Sequence, residues 1–252
     1  MEEHYNKVLL NFGQKILKTL KEHKKFSIIE QKCVVLLRKA SGQKKLKKFK
    51  INNKFIYLIS PNKIKNKNFY NQLIDILKLN KTFFFQLRLK KESKKNKIVI
   101  GKKIQKICKK YKVKFIVNDD PILAKKLNAD GCHLGQKDMK ISRARKLLKN
   151  KIIGTTCHNS LKLVKKAIKE KVNYIALGAF YPTKTKKVKY KANIQLLTSV
   201  KKITNTPIVV IGGIKLENYE KLLLNKANFL AISSYIWNNK KYKPIEAVKK
   251  LK

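Results

Sequence analysis

Side chains suited to holding anions and a hard cation recur along this chain, each set placed just after a short apolar run. Gln86, Arg88 and Lys90 follow Phe83-Phe84-Phe85, Asn118 and Asp119 follow Phe115-Ile116-Val117, and Gln136 and Asp138 follow Cys132-His133-Leu134. Thr156 ends a run beginning at Ile152, and Thr183, Thr185 and Lys186 come after a run ending at Gly178. Gly212-Gly213 and Ile232-Ser233-Ser234 close the last two. On an extended chain Arg88 and Lys90 share a face with Gln86. Two carboxylates from neighbouring runs could hold Mg²⁺, with a substrate's phosphates supplying the remaining oxygens. Backbone N–H groups at Gly212-Gly213 and Ser233-Ser234 suit a further phosphate.

Each of these residues also has a plainer reading. Asp120-Pro121 is placed as N-cap and first residue of a short helix, and Asp138 could likewise be only an N-cap. His133, with apolar neighbours, reads as a packed strand histidine rather than a metal ligand, whereas His158 could face the polar sets or turn away. The functional signal is the recurrence of polar groups at successive strand ends, which capping alone would not produce.

Such recurrence needs a scaffold that brings every strand end to one rim. From residue 54 onward, eight apolar runs alternate with amphipathic stretches at the spacing of βα units. The economical architecture is a (β/α)8 TIM barrel over residues 51–252, with its active site at the C-terminal ends of the strands. An open doubly wound sheet is disfavoured because no glycine-rich dinucleotide loop follows the first strand. Residues 1–50 read as a separate N-terminal segment. It holds two amphipathic helices, around Val8–Leu20 and Ile28–Leu37, and a basic linker at Gln43–Lys50.

Composition removes several function classes. With 63 basic and 14 acidic residues among 252, the formal net charge is +49. Only Arg38, Arg88, Arg143 and Arg145 are arginines, so 63 − 4 = 59 of the basic residues are lysine. A reader of nucleic acid relies on arginine forks. Lysine scattered over every solvated face, with abundant Asn and Ile, instead fits compositional drift, and no specific nucleic-acid partner is expected. Cys33, Cys108, Cys132 and Cys157 lack metal-ligand or framework spacing and fit reduced thiols in a cytoplasm. No apolar run is long enough to cross a bilayer, and Met-Glu-Glu at the start is not the layout of a signal peptide. The expectation is a cytoplasmic protein acting on small molecules, without a membrane partner; a homo-oligomer is left open.

The motifs Gln86-Leu87-Arg88-Leu89-Lys90, Asn118-Asp119, His133-Leu134-Gly135-Gln136-Lys137-Asp138 and Gly154-Thr155-Thr156-Cys157-His158 resemble those of the thiamine-phosphate synthases in order and spacing. The resemblance continues through Phe180-Tyr181-Pro182-Thr183-Lys184-Thr185-Lys186, Ile211-Gly212-Gly213-Ile214 and Ile232-Ser233, but does not reach residues 1–50. It implies a transferase of thiamine biosynthesis that joins hydroxymethylpyrimidine diphosphate to hydroxyethylthiazole phosphate and releases diphosphate. By the same resemblance Gln86 binds the pyrimidine, and Arg88, Lys90, Asn118 and Lys186 hold the diphosphate. Asp119 and Asp138 bind the cofactor Mg²⁺, and Thr156, Thr183 and Thr185 line the reacting region. Gly213 and Ser233 grip the thiazole phosphate, Ile232 belongs to the substrate-binding set, and Arg88, Thr156 and Lys186 are the catalytic residues. Three features depart from the family pattern: Thr156 stands where serine is usual, Lys187–Lys191 lacks a glycine, and the N-terminal segment is extra. Two alternatives are a thiazole tautomerase of the same superfamily, which needs no diphosphate or metal apparatus, and a basic nucleic-acid-binding protein.

Overall fold

A computed structural model of the chain describes residues 54–64, 68–183 and 189–251, so the expected N-terminal helices and linker lie outside the described residues. The strands are β1 (Ile56–Ile59), β2 (Thr82–Leu87), β3 (Lys114–Asn118), β4 (Gly131–Leu134), β5 (Ile152–His158), β6 (Tyr174–Gly178), β7 (Ile208–Ile211) and β8 (Phe229–Ile232). They pair in sequence order, all parallel, and β8 returns to β1 to close the barrel. The connecting helices are α1 (Asn68–Lys78), α2 (Lys94–Lys110), α3 (Pro121–Lys126), α4 (Ile141–Leu148), α5 (Leu161–Lys169), α6 (Ile194–Ile203) and α7 (Tyr219–Leu224). A short α8 (Ser234–Trp237) and α9 (Pro244–Lys250) follow β8. The α8 turn is absent from the sequence reading because four residues, SYIW, carry no helical period.

Local chemistry sets where the helices begin. The side chains of Ser93, Asp120, Ser160 and Asn193 accept hydrogen bonds from Asn96, Leu123, Leu163 and Leu196 N–H, capping α2, α3, α5 and α6. Each such cap contributes about 1 kcal/mol. At the opposite end, Asp130, Asn173 and Asn228 accept from the N–H of Phe115, Ile153 and Ile208 respectively. One amide or carboxylate thereby pins the start of the neighbouring strand three times around the ring.

Alternation along the strands separates two cores. Leu58, Phe85, Val117, Cys132, Ile153, Ile175, Val210 and Leu230 face the helices in a large outer core. The alternate positions, Tyr57, Phe84, Ile116, Tyr174, Val209 and Phe229 among them, fill the barrel interior. Aromatic rings dominate this inner layer: Phe84 lies 5.0 Å from Tyr57, 5.5 Å from Tyr174 and 5.1 Å from Phe229. Room for the Tyr174 ring comes from Gly154 on β5, where a Cβ would sit 1.9 Å from the ring. The interior is therefore a packed plug below the mouth, and ligands can meet the barrel only at the strand ends.

Candidate active site

Gln86, near the end of β2, has an inward side chain 4% exposed, with Nε2 donating to Tyr57 Oη at 3.0 Å. Two residues on, past the strand, Arg88 is half-buried. Its backbone N–H donates to Ser60 Oγ at 2.8 Å, and its guanidinium donates to Asn62 Oδ1 at 2.6 Å. Burial depresses the Arg88 pKa and the nearby Asp119 charge opposes that shift, so the cation is held in place. Ser60 Oγ also donates to Pro61 O, and Ser60 O accepts from Ser233 Oγ at 3.3 Å. The Ser60-Pro61-Asn62 turn after β1 thus ties the ends of β2 and β8 together. In the sequence the turn is marked only by two hydrogen-bonding side chains flanking a proline.

Asn118 is the last residue of β3, paired in register with His133 of β4. Asp119 follows with φ 65°, a left-handed conformation that Asp tolerates better than most side chains. Its N–H donates to His133 O at 2.8 Å. Its carboxylate lies 3.5 Å from Lys90 Nζ. On the neighbouring strand end, Asp138 accepts from Gly135 N–H at 2.6 Å, closing the turn after β4. Asp138 does not cap α4, whose N-cap is Lys140, so the capping alternative for this carboxylate fails. Burial raises the Asp138 pKa, the Gly135 N–H lowers it, and hydrogen bonding to Asp119 together with that residue's charge raises it further.

Asp119 and Asp138 are therefore one site. Two carboxylates set side by side repel, and a divalent cation between them relieves that repulsion. Among the described residues no third carboxylate, His or Cys completes a protein cage. Two carboxylates with room for phosphate oxygens and water match the way Mg²⁺ is usually held, so the residues present fit the ion.

Thr156, near the end of β5, is fixed from the β4 side. His133 Nε2 lies 2.8 Å from its Oγ1, and Gln136 Nε2 donates to its backbone carbonyl. His133 is, as expected, a buried strand histidine, but its second nitrogen, Nδ1, lies 2.9 Å from Tyr174 Oη. Tyr174 Oη in turn lies 2.7 Å from Tyr57 Oη. A continuous line of hydrogen bonds therefore crosses the barrel from Gln86 to Thr156. Tyr57 and Tyr174 are functional residues that the sequence does not single out, since no local spacing relates positions 57, 133 and 174. His158 closes β5 with φ 52° and lays its ring against Tyr190, 4.4 Å between centroids, apart from this line.

Burial holds the His133 pKa down at about 4, against an ordinary 6.5; Asp138 opposes this and Arg88 adds to it. Between those two values the unfolded chain binds a proton that the folded protein refuses, so stability falls as pH falls. From pH 7.5 to pH 5 the loss is about 2 kcal/mol for this one group. Urea midpoints at the two pH values should show it, and His133→Asn should flatten the difference. A pH difference undiminished in that variant would remove His133 as its source.

The remaining expected residues divide. Gly213 follows β7 at φ 62°; a Cβ there would lie 2.3 Å from Pro182 O, so only glycine lets the loop after β6 press against this strand end. Thr183 lies in that same loop, and Thr185 and Lys186 lie outside the described residues. Ser233 reaches the rim between β8 and β1. The Ile232 side chain, 2% exposed, packs among the outer-core residues against the helices, which leaves its backbone as the part that can face a ligand. The parity of β8 requires this, since inward Ala231 is its neighbour. Cys108, Cys132 and Cys157 are free and buried, and burial pushes the Cys157 thiol up to about 12, which leaves it inert.

Comparison with known proteins identifies the family. A thiamine monophosphate synthase family model matches residues 56–236. The thiamine-phosphate synthase of Pelagibacter ubique (strain HTCC1062) is 70% identical over 207 residues, covering 82% of this chain and all of that protein. The thiamine-phosphate synthase of Nitrosomonas eutropha is 38% identical over 156 residues, covering 62% and 74% of the two chains. Among solved structures, thiamine phosphate pyrophosphorylase from Pyrococcus furiosus superposes with a TM-score of 0.70 at 25% identity, over 80% of this chain and 95% of that one. The closed barrel, the family model over residues 56–236 and 70% identity over 82% of the chain converge, and the chain belongs to the thiamine-phosphate synthase family.

Proposed function

We propose that the barrel mouth joins hydroxymethylpyrimidine diphosphate to hydroxyethylthiazole phosphate in a Mg²⁺-dependent reaction that releases diphosphate. The observation that carries this reading is the cluster of Arg88, Lys90, Asp119 and Asp138 at the adjoining ends of β2, β3 and β4. Fixed cations beside paired carboxylates suit a diphosphate and its metal, and a tautomerase would have no use for them.

Departure of diphosphate leaves a positive pyrimidine methylene, so the protein must stabilise a leaving anion and place the thiazole nitrogen; it needs no nucleophile of its own. Gln86, anchored at Nε2, keeps its carbonyl oxygen to accept from the pyrimidine. Arg88, Lys90 and Asn118, with Lys186, take the diphosphate oxygens. Asp119 and Asp138 would hold Mg²⁺, which when bound neutralises charge on the departing diphosphate. Thr156, Thr183 and Thr185 line the reacting region, while Gly213, Ser233 and the Ile232 backbone meet the thiazole phosphate. A cytoplasmic setting is supported by the three buried free thiols. A nucleic-acid role draws no support: every described helix except α8 carries lysine, so the charge rings the barrel.

The purified full chain, given both substrates, should release diphosphate in step with thiamine phosphate. Chelation should stop the reaction, and added Mg²⁺ should restore it. Failure to release diphosphate with both substrates present overturns the proposal, and turnover of the thiazole alone would mark a tautomerase.

A further inference from the structure

The buried line from Gln86 to Thr156 has a direction. Gln86 Nε2 donates to Tyr57 Oη, and among the described residues the other polar partner of that buried hydroxyl is Tyr174 Oη, so bonding the phenolic hydrogen of Tyr57 sends it to Tyr174 Oη. The hydrogen of Tyr174 must then go to His133 Nδ1, which makes that nitrogen an acceptor. A neutral imidazole accepting at Nδ1 carries its hydrogen on Nε2 and donates it to Thr156 Oγ1. Thr156 Oγ1 is satisfied as an acceptor, and its own hydrogen remains available to the mouth.

We propose that Tyr57, Tyr174 and His133 are positioning residues that fix the Thr156 hydroxyl as a hydrogen-bond donor to an anionic diphosphate oxygen of the substrate. This rests on the placement of Thr156 at the reacting region. Three features of the barrel support it. All four links lie between 2.7 and 3.0 Å. Tyr57 and Tyr174 are each 1% exposed, so no solvent competes for their hydroxyls. Gly154 is the gap into which the Tyr174 ring fits, so β5 supplies both the space for the relay and, two residues on, its terminus. Two phenolic hydroxyls in the interior serve packing no better than Phe84 does beside them. Burying them is costly unless each is hydrogen-bonded, and the relay is what bonds them.

The proposal is tested with a cycle of Thr156→Val, Tyr174→Phe and the double variant, measuring kcat and the KM of each substrate. Thr156→Val should lower kcat about tenfold or more. Tyr174→Phe should lower kcat severalfold with the thiazole-phosphate KM unchanged, and should have no further effect once Thr156 is Val. Thr156→Ser should keep most of the activity, because the hydroxyl survives. If Tyr174→Phe fails to fold, His133→Asn enters the same cycle, with the same non-additivity expected, because His133 touches Thr156 and Tyr174 but not Gln86. In ¹⁵N-histidine NMR of the unmodified protein at neutral pH, His133 should be the Nε2–H tautomer. Equal losses from Tyr174→Phe in both backgrounds would reduce the relay to packing, and an Nδ1–H tautomer would refute its direction. If Thr156→Val leaves kcat unchanged, the placement of Thr156 itself falls; a tenfold loss there with additive tyrosine effects sinks the relay alone.

Discussion

Asp119→Asn and Asp138→Asn are each expected to lower kcat by on the order of a hundredfold, the scale of losing one preorganised electrostatic partner at a reacting centre. Each substitution removes half of the protein charge that would hold Mg²⁺ against the diphosphate. The half-saturating Mg²⁺ concentration should therefore rise along with the fall in rate. Folding should not suffer. The Lys90–Asp119 pair is half-exposed, and pairs of that kind are worth little. Removing one of two neighbouring carboxylates also relieves their repulsion. The Gly135 N–H that Asp138 accepts can be met by an asparagine carbonyl oxygen. Thermal melts of the metal-free variants should thus match or slightly exceed the parent. Wild-type rates with unchanged Mg²⁺ dependence in both variants would remove the pair from the site. A loss of activity that follows a loss of melting temperature would make the two residues structural.

The barrel was legible because βα units announce themselves locally. A buried run such as Tyr174–Gly178 and an amphipathic one such as Leu161–Lys169 carry their periods within a few residues, and both elements occupy those spans. Asp120-Pro121 gave its cap by the same logic. Strand-end residues could be read off once the barrel was assumed, since position after a strand fixes the rim. Facing direction was harder. Strand-end position alone does not reveal that parity turns the Ile232 side chain outward and leaves its backbone to the mouth. Least legible were partners joined only by the closed barrel: Tyr57, His133 and Tyr174 lie on β1, β4 and β6 and meet in the interior. Asn62 and Arg88 likewise come together only because β1 and β2 are neighbours.

Arg88→Ala should lower kcat/KM for the pyrimidine diphosphate by about ten- to a hundredfold while hardly changing affinity for thiazole phosphate. Losing a charge-assisted contact costs roughly 1.5–3 kcal/mol, which sets that range. The guanidinium sits on the β2 rim beside Asn62 and Asp119, whereas Ser233 stands at the β8 rim on the far side of the Ser60 turn. A change at Arg88 should therefore be felt by one substrate only. Arg88→Lys should recover part of the loss, because a lysine keeps the charge but cannot donate to Asn62 and to phosphate oxygens as one rigid fork. Asn62→Ala should act in the same direction and more weakly, since it frees the guanidinium without removing it. Initial rates with each substrate varied in turn, together with calorimetry using thiazole phosphate alone, separate the two effects. Equal losses toward both ligands would mean that Arg88 holds the ends of β1 and β2 together rather than the diphosphate. The same would follow if Asn62→Ala were as damaging as Arg88→Ala, because the contact between the two side chains would then matter more than the charge.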